Sequence, residues 1–176
     1  PEADVALRNE LMQSPKERRE HAFVQEAIRA DLEGLCTAVE VPDTPSDLAL
    51  ARGRHLHSRL TGTLRPETTT TDLLKVLHPT PAVGGVPTEN AVAAIRAQEP
   101  FDRGWYAGPV GWIGREAAEF AVGIRAGLVE ESQIALFSGA GIVEGSTPDR
   151  EWEEIEQKIV DFAAIMGVVD SETASV

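Results

Sequence analysis

The sequence predicts an α+β fold. Three observations carry that expectation. A helix start is spelled out at Ser14-Pro15-Lys16-Glu17. Three strand-like runs between Trp105 and Gly139 are joined by connections too short for a crossover, which asks for antiparallel pairing. A second long helical run opens at Pro148. Helices flanking an antiparallel sheet define the class.

The elements follow in order. Residues 3–13 read as a short helix. In the next, Ser14 is the N-cap, Pro15 the first helical residue and Glu17 the third, the pattern of a capping box. This helix should run to about Leu35, with Phe23, Val24, Ala27 and Ile28 as its apolar face. A short extended segment at Val39–Pro42 precedes a polar turn at Asp43–Asp47. His55–Leu64 alternates as one strand. Thr69–Leu77 is a short helix with Thr71 or Asp72 near its start. Residues 78–85, His-Pro-Thr-Pro-Ala-Val-Gly-Gly, form a loop whose prolines restrict the backbone and whose glycines admit sharp turns. A helix covers Thr88–Ala97. Strands at Trp105–Ile113, Glu119–Leu128 and Gln133–Gly139 form a meander, and the last helix runs from Pro148 to about Ile165. Asp170–Val176 is a tail.

The bulk properties narrow the function. The chain has 176 residues, 42% of them hydrophobic, enough for one domain with a core. A formal charge of −13 argues against nucleic acid or an anionic membrane as partner. It leaves an anionic substrate open, because local cations or a metal decide that. No apolar run approaches the roughly 20 residues of a membrane span. Cys36 is the only cysteine, so an intramolecular disulfide is excluded and a small buried residue in a reducing cytosol is expected. The start, Pro-Glu-Ala-Asp-Val, has no signal-peptide character and no initiator Met, as expected of a piece of a longer chain or of a processed start.

Two carboxylate pairs stand at i, i+3 near helix starts, Glu17 with Glu20 and Glu151 with Glu154, and each pair shares one helix face. Lys158 lies one turn beyond Glu154. Hard cations such as Mg²⁺ take oxygen ligands and keep several waters, so one carboxylate from each helix would suffice. Each pair also has a plain explanation. Glu17 completes a cap, and Glu151 is a first-turn acid favoured by the helix dipole.

These residues carry a resemblance. Lys16-Glu17-Arg18-Arg19-Glu20-His21, the Pro/Gly loop at 78–85, Ser138-Gly139-Ala140-Gly141-Ile142 and the Glu151–Lys158 run resemble the chorismate-utilising enzymes. Within that family the chain is most similar to the isochorismate synthases, over nearly all its length. The resemblance implies that residues 1–169 are the C-terminal part of a two-layered chorismate-binding fold, like that of anthranilate synthase component I, whose N-terminal part would be a partner. It implies that Glu20 and Glu154 bind Mg²⁺ directly and that Glu17 and Glu151 support the metal or its waters. It assigns the substrate's enolpyruvyl carboxylate to Tyr106, Arg125, Gly139, Ala140, Gly141 and Lys158. Arg125 stands on the second meander strand and can grip a carboxylate with two hydrogen bonds. Outside the family context it reads as a surface residue.

His55, in Gly53-Arg54-His55-Leu56, matches a histidine near the departing ring hydroxyl, or else bonds locally at a strand end. His21 follows a metal ligand and is placed to orient it. Ala82 stands where relatives that use ammonia or eliminate pyruvate carry threonine. A methyl cannot position a nucleophile, which favours water as nucleophile and no later step. The implied reaction is conversion of chorismate to isochorismate, with water adding at C2 as the C4 hydroxyl leaves. The family's lysine base and glutamate acid lie upstream, so this polypeptide alone should be inactive. Two alternatives stand: a non-catalytic module binding Mg²⁺ and a dicarboxylate or a protein, and a salicylate, anthranilate or aminodeoxychorismate synthase. The product could feed a siderophore, menaquinone or salicylate.

Overall fold

A computed structural model describes residues 2–50 and 53–167. The chain divides into two compact units, residues 1–98 and 99–176. The tail expected at 170–176 lies outside the described residues.

The first unit opens with helix α1, Glu2–Gln13, and helix α2, Pro15–Leu35. Ser14 caps α2 as expected, its hydroxyl accepting from the Glu17 N–H at 3.3 Å. The Ser14 N–H donates to the Leu11 carbonyl. That group ties α2 back to α1, where a reciprocal capping box would have turned it to Glu17. Strand β1, Cys36–Glu40, pairs antiparallel with β4, Thr61–Leu64. Strand β2, Ser46–Leu50, pairs with β3, Gly53–His57, in register from Ser46 opposite His57 to Leu50 opposite Gly53.

Two expectations are corrected here. The polar stretch ending at Asp47 runs into a strand, because Ser46-Asp47-Leu48-Ala49-Leu50 finds a partner in β3. The single strand expected at His55–Leu64 is two, belonging to different ladders. The break at Ser58–Leu60 comes where Ser58 turns its hydroxyl to α2 (below).

Charges clasp α1 to the β2–β3 hairpin. Arg8 Nε donates to Asp47 Oδ1 at 2.7 Å, Arg54 pairs with Asp47, and Arg54 Nη2 donates to Asp4 Oδ2 at 2.8 Å. Helix α3, Thr70–Leu77, carries a complete capping box between Thr69 and Asp72. The Pro/Gly segment is a single helical turn, α4, Pro81–Gly84, followed by α5, Thr88–Gln98.

In the second unit, β5, Pro109–Ile113, pairs with β6, Ala118–Val122, and β7, Ala126–Glu130, pairs with β8, Gln133–Phe137. The expected three-strand meander is therefore two separate hairpins of four strands. The divide falls at Gly123–Arg125. Gly123 exchanges backbone bonds with Ala107 and Gly108, and Arg125 adopts φ +52, the left-handed region that ends a strand. The unit closes with α6, Pro148–Ile165.

Both units are thinly covered. Cys36, Ala107 and Ala163 are the buried apolar residues among those described, while Trp105 is 90% exposed. Other large apolar side chains are exposed as well, Val129 at 66% and Ile142 at 74%. No helix among the described residues is long and apolar enough to cross a membrane.

Candidate active site

The expected site residues fall in both units, and each group is built by its own unit's elements. In the first, the start of α2 carries Glu17, Glu20 and His21. One oxygen of Glu20, Oε1, is buried, with Lys16 Nζ at 3.8 Å. His21 is tied to the β3–β4 connection. Its Nε2 lies 2.7 Å from Ser58 Oγ, and the Ser58 hydroxyl donates to Gln25 Oε1 at 3.0 Å. A hydroxyl has one proton, so Ser58 accepts from His21 and the imidazole proton sits on Nε2. Gln25 in turn donates to the Pro42 carbonyl at 3.0 Å. Burial holds the His21 pKa below its ordinary value, with the charge of His57 adding to the effect. Ser58 and Gln25 carried no signal in the sequence, because the contact spans 37 residues.

His55 sits on β3 opposite Leu48 and is exposed. Ala82 is exposed on α4. The two glycines after it are required by packing. A Cβ on Gly84 would meet the Pro79 ring at 2.8 Å, and one on Gly85, at φ +72, would meet Ala91 Cβ at 2.6 Å.

The second half is better gathered. Lys158, on α6, donates to the Gly139 carbonyl at 3.0 Å and to Glu154 Oε1 at 2.6 Å. The Tyr106 hydroxyl approaches Gly139 so closely that a Cβ there would lie 2.6 Å from it. Tyr106 stacks on Phe137 with ring centroids 5.9 Å apart. Burial raises the phenol pKa, opposed by the charge of Arg103. Tyr106, Gly139, Lys158 and Glu154 thus form one constellation.

Arg125 is exposed in the connection between β6 and β7, not on a strand. Glu151 is 5% exposed, whereas the side chain of Glu154 is 43% exposed. Burial therefore runs opposite to the order of directness that the resemblance assigns to this pair. Ser138 Oγ is buried. Arg103, Glu99 and Phe137, which frame Tyr106, were not expected from the sequence.

The family model described as chorismate binding enzyme matches residues 1–167. The chain is 44% identical to the chloroplastic isochorismate synthase of Catharanthus roseus, over 93% of this chain and 28% of that protein. It matches the structure of MenF, the menaquinone-specific isochorismate synthase of Escherichia coli, at TM-score 0.84 and 33% identity, over 94% of this chain and 38% of that one. It also matches anthranilate synthase component I of Streptococcus pneumoniae at TM-score 0.82 and 31% identity, over 92% of this chain and 38% of that one. The chain spans well under half the length of these relatives.

Proposed function

Because the chain belongs to the chorismate-binding enzymes, we propose that it forms the metal-binding and carboxylate-binding side of an isochorismate synthase. The observation that carries this is the bridge made by Lys158, which ties Glu154 to the Gly139 carbonyl beside the Tyr106 hydroxyl. A dicarboxylate substrate needs two anion sites at a fixed separation, and one lysine holds a candidate for each in a single frame. The relatives at 44% and 33% identity support the isochorismate reaction over its neighbours.

The carboxylate set fits Mg²⁺. Oε1 of Glu20 and Oε2 of Glu151 are buried oxygens, and a buried carboxylate gains strongly from a nearby cation. Glu20 and Glu154 would hold it, with Glu17 and Glu151 supporting them. Bound there, Mg²⁺ would neutralise the ring carboxylate of chorismate.

The residues of this chain then bind and orient. The Tyr106 hydroxyl and the Gly139–Gly141 backbone N–H groups donate to the enolpyruvyl carboxylate, Arg125 adds a guanidinium, and Lys158 fixes the loop. Ala82 offers no hydroxyl, consistent with water as nucleophile and with pyruvate retained. His55 attends the departing C4 hydroxyl. The base that activates water and the acid that protonates the leaving hydroxyl lie outside these 176 residues.

The test is a chorismate assay with Mg²⁺ on this chain and on the enzyme that contains it. The reading expects Mg²⁺-dependent isochorismate without pyruvate from the enzyme and no turnover from the chain alone. Pyruvate release or a requirement for ammonia would move the reading to a salicylate or an aminating synthase. Mg²⁺ and dicarboxylate binding with no turnover by either would favour the non-catalytic module.

A further inference from the structure

Arg103 and Glu99 form an ion pair with no part in the proposed reaction. Arg103 Nε donates to Glu99 Oε2 at 2.7 Å, and both side chains are little more than a quarter exposed. The pair is not simply a surface bridge, because the Arg103 guanidinium carbon lies 5.7 Å from the centre of the Tyr106 ring. That is within cation–π range. A guanidinium does this better than an ammonium, since its plane can stack while its fork holds a carboxylate. The same ring packs on Phe137, which in turn packs on Phe101 at 6.1 Å.

We infer that Arg103, anchored by Glu99, is a positioning residue for the Tyr106 hydroxyl. The inference rests on Tyr106 serving as a carboxylate donor. A phenol whose tip stands where a Gly139 Cβ would be needs its ring plane fixed, and the guanidinium and Phe137 supply that. The cation also draws electron density from the ring, making the O–H a stronger donor and opposing the effect of burial. The other charged groups of this neighbourhood are Glu99, from the segment before Arg103, and Lys158 with Glu154, from α6.

The test is a double-mutant cycle in the enzyme that contains this chain, with Arg103→Leu and Arg103→Lys made alone and with Tyr106→Phe. The readouts are KM and kcat for chorismate, and the phenol titration taken as the difference spectrum against Tyr106→Phe. Arg103→Leu should raise KM about five- to twentyfold, with kcat changed far less. It should move the phenol titration upward. Arg103→Lys should restore part of both, and the KM effect should vanish in the Tyr106→Phe background. A KM effect that persists there overturns the inference, as does a phenol titration that Arg103→Leu leaves in place. If the unaltered enzyme does not turn chorismate over, the proposed function falls separately. The titration then decides alone: a shift sustains the Arg103–Tyr106 coupling and its absence overturns it.

Discussion

The Lys158 ammonium holds the Gly139 carbonyl at 3.0 Å across 19 residues of sequence, while its other bond goes to Glu154 on its own helix. This one side chain fixes the distance between a metal-ligand candidate and the loop expected to hold a carboxylate.

Two readouts should therefore separate in Lys158→Met. The lysine competes with a cation for Glu154, so its removal should leave Mg²⁺ affinity unchanged or slightly tighter. The loop loses a charge-assisted bond, one already partly screened by solvent, and the KM for chorismate should rise about tenfold. Mg²⁺ titration calorimetry beside steady-state kinetics reads both. A parallel loss of metal and substrate would show that the lysine merely holds the fold.

Gly139→Ala should raise KM through the Tyr106 hydroxyl. The new methyl would lie 2.6 Å from that oxygen and 3.8 Å from the ring carbon bearing it. Removing the oxygen restores the space. Gly139→Ala should cost about 1 kcal/mol of stability in the native background and little in Tyr106→Phe. Thermal unfolding of the four proteins tests it, and an equal cost in both backgrounds would count against the contact.

Gly84 and Gly34 should respond to alanine with opposite signs. At Gly84 the added carbon meets the stiff Pro79 ring, with neighbours at 2.8 and 2.9 Å, so Gly84→Ala should cost about 1–3 kcal/mol. At Gly34, inside α2, nothing lies within 4 Å. Gly34→Ala should stabilise by about 0.4–1 kcal/mol through the unfolded chain's entropy. Denaturant midpoints of the two variants decide this directly.

Acid should loosen α1 from the β2–β3 hairpin. The Arg8 hydrogen bond holds the Asp47 carboxyl below its ordinary 3.8, and the Arg54 bond does the same for Asp4. A depressed folded pKa means stability that is present above the unfolded value and lost as pH falls through the folded one. The loss should start near pH 3.8 and grow below it, and Asp47→Asn should flatten that limb. Circular dichroism followed against pH will show whether helix signal is lost there.

How much was legible in the sequence follows from which forces set each element. Helix α2 was readable because Ser14, Pro15 and Glu17 act within one turn. Strand β2 was not, because Ser-Asp-Leu-Ala-Leu has no β-branched or aromatic residue and owes its form to pairing with β3. The strand expected through Arg125 failed because the apolar residues on either side read as one run, although Gly123 and Arg125 interrupt it where the break falls. Tyr106, Gly139, Lys158 and Glu154 were named from the family resemblance, and the structure brings these four together. Ser58 and Gln25 were missed because their bonds with His21 and Pro42 cross long loops. Arg103 stands three residues before Tyr106, but its seat over that ring is a tertiary fact.

Each of the eight described strands has a hydrogen-bonded neighbour along one side only. In an antiparallel ribbon the amides alternate between facing the partner and facing away. In heavy water the isolated chain should thus carry a barcode of period two. Along each strand one amide should hold its proton while the next surrenders it nearly as fast as a free peptide. Any polypeptide that docks as an added strand should silence every second stripe on the strand it joins, identifying that strand residue by residue.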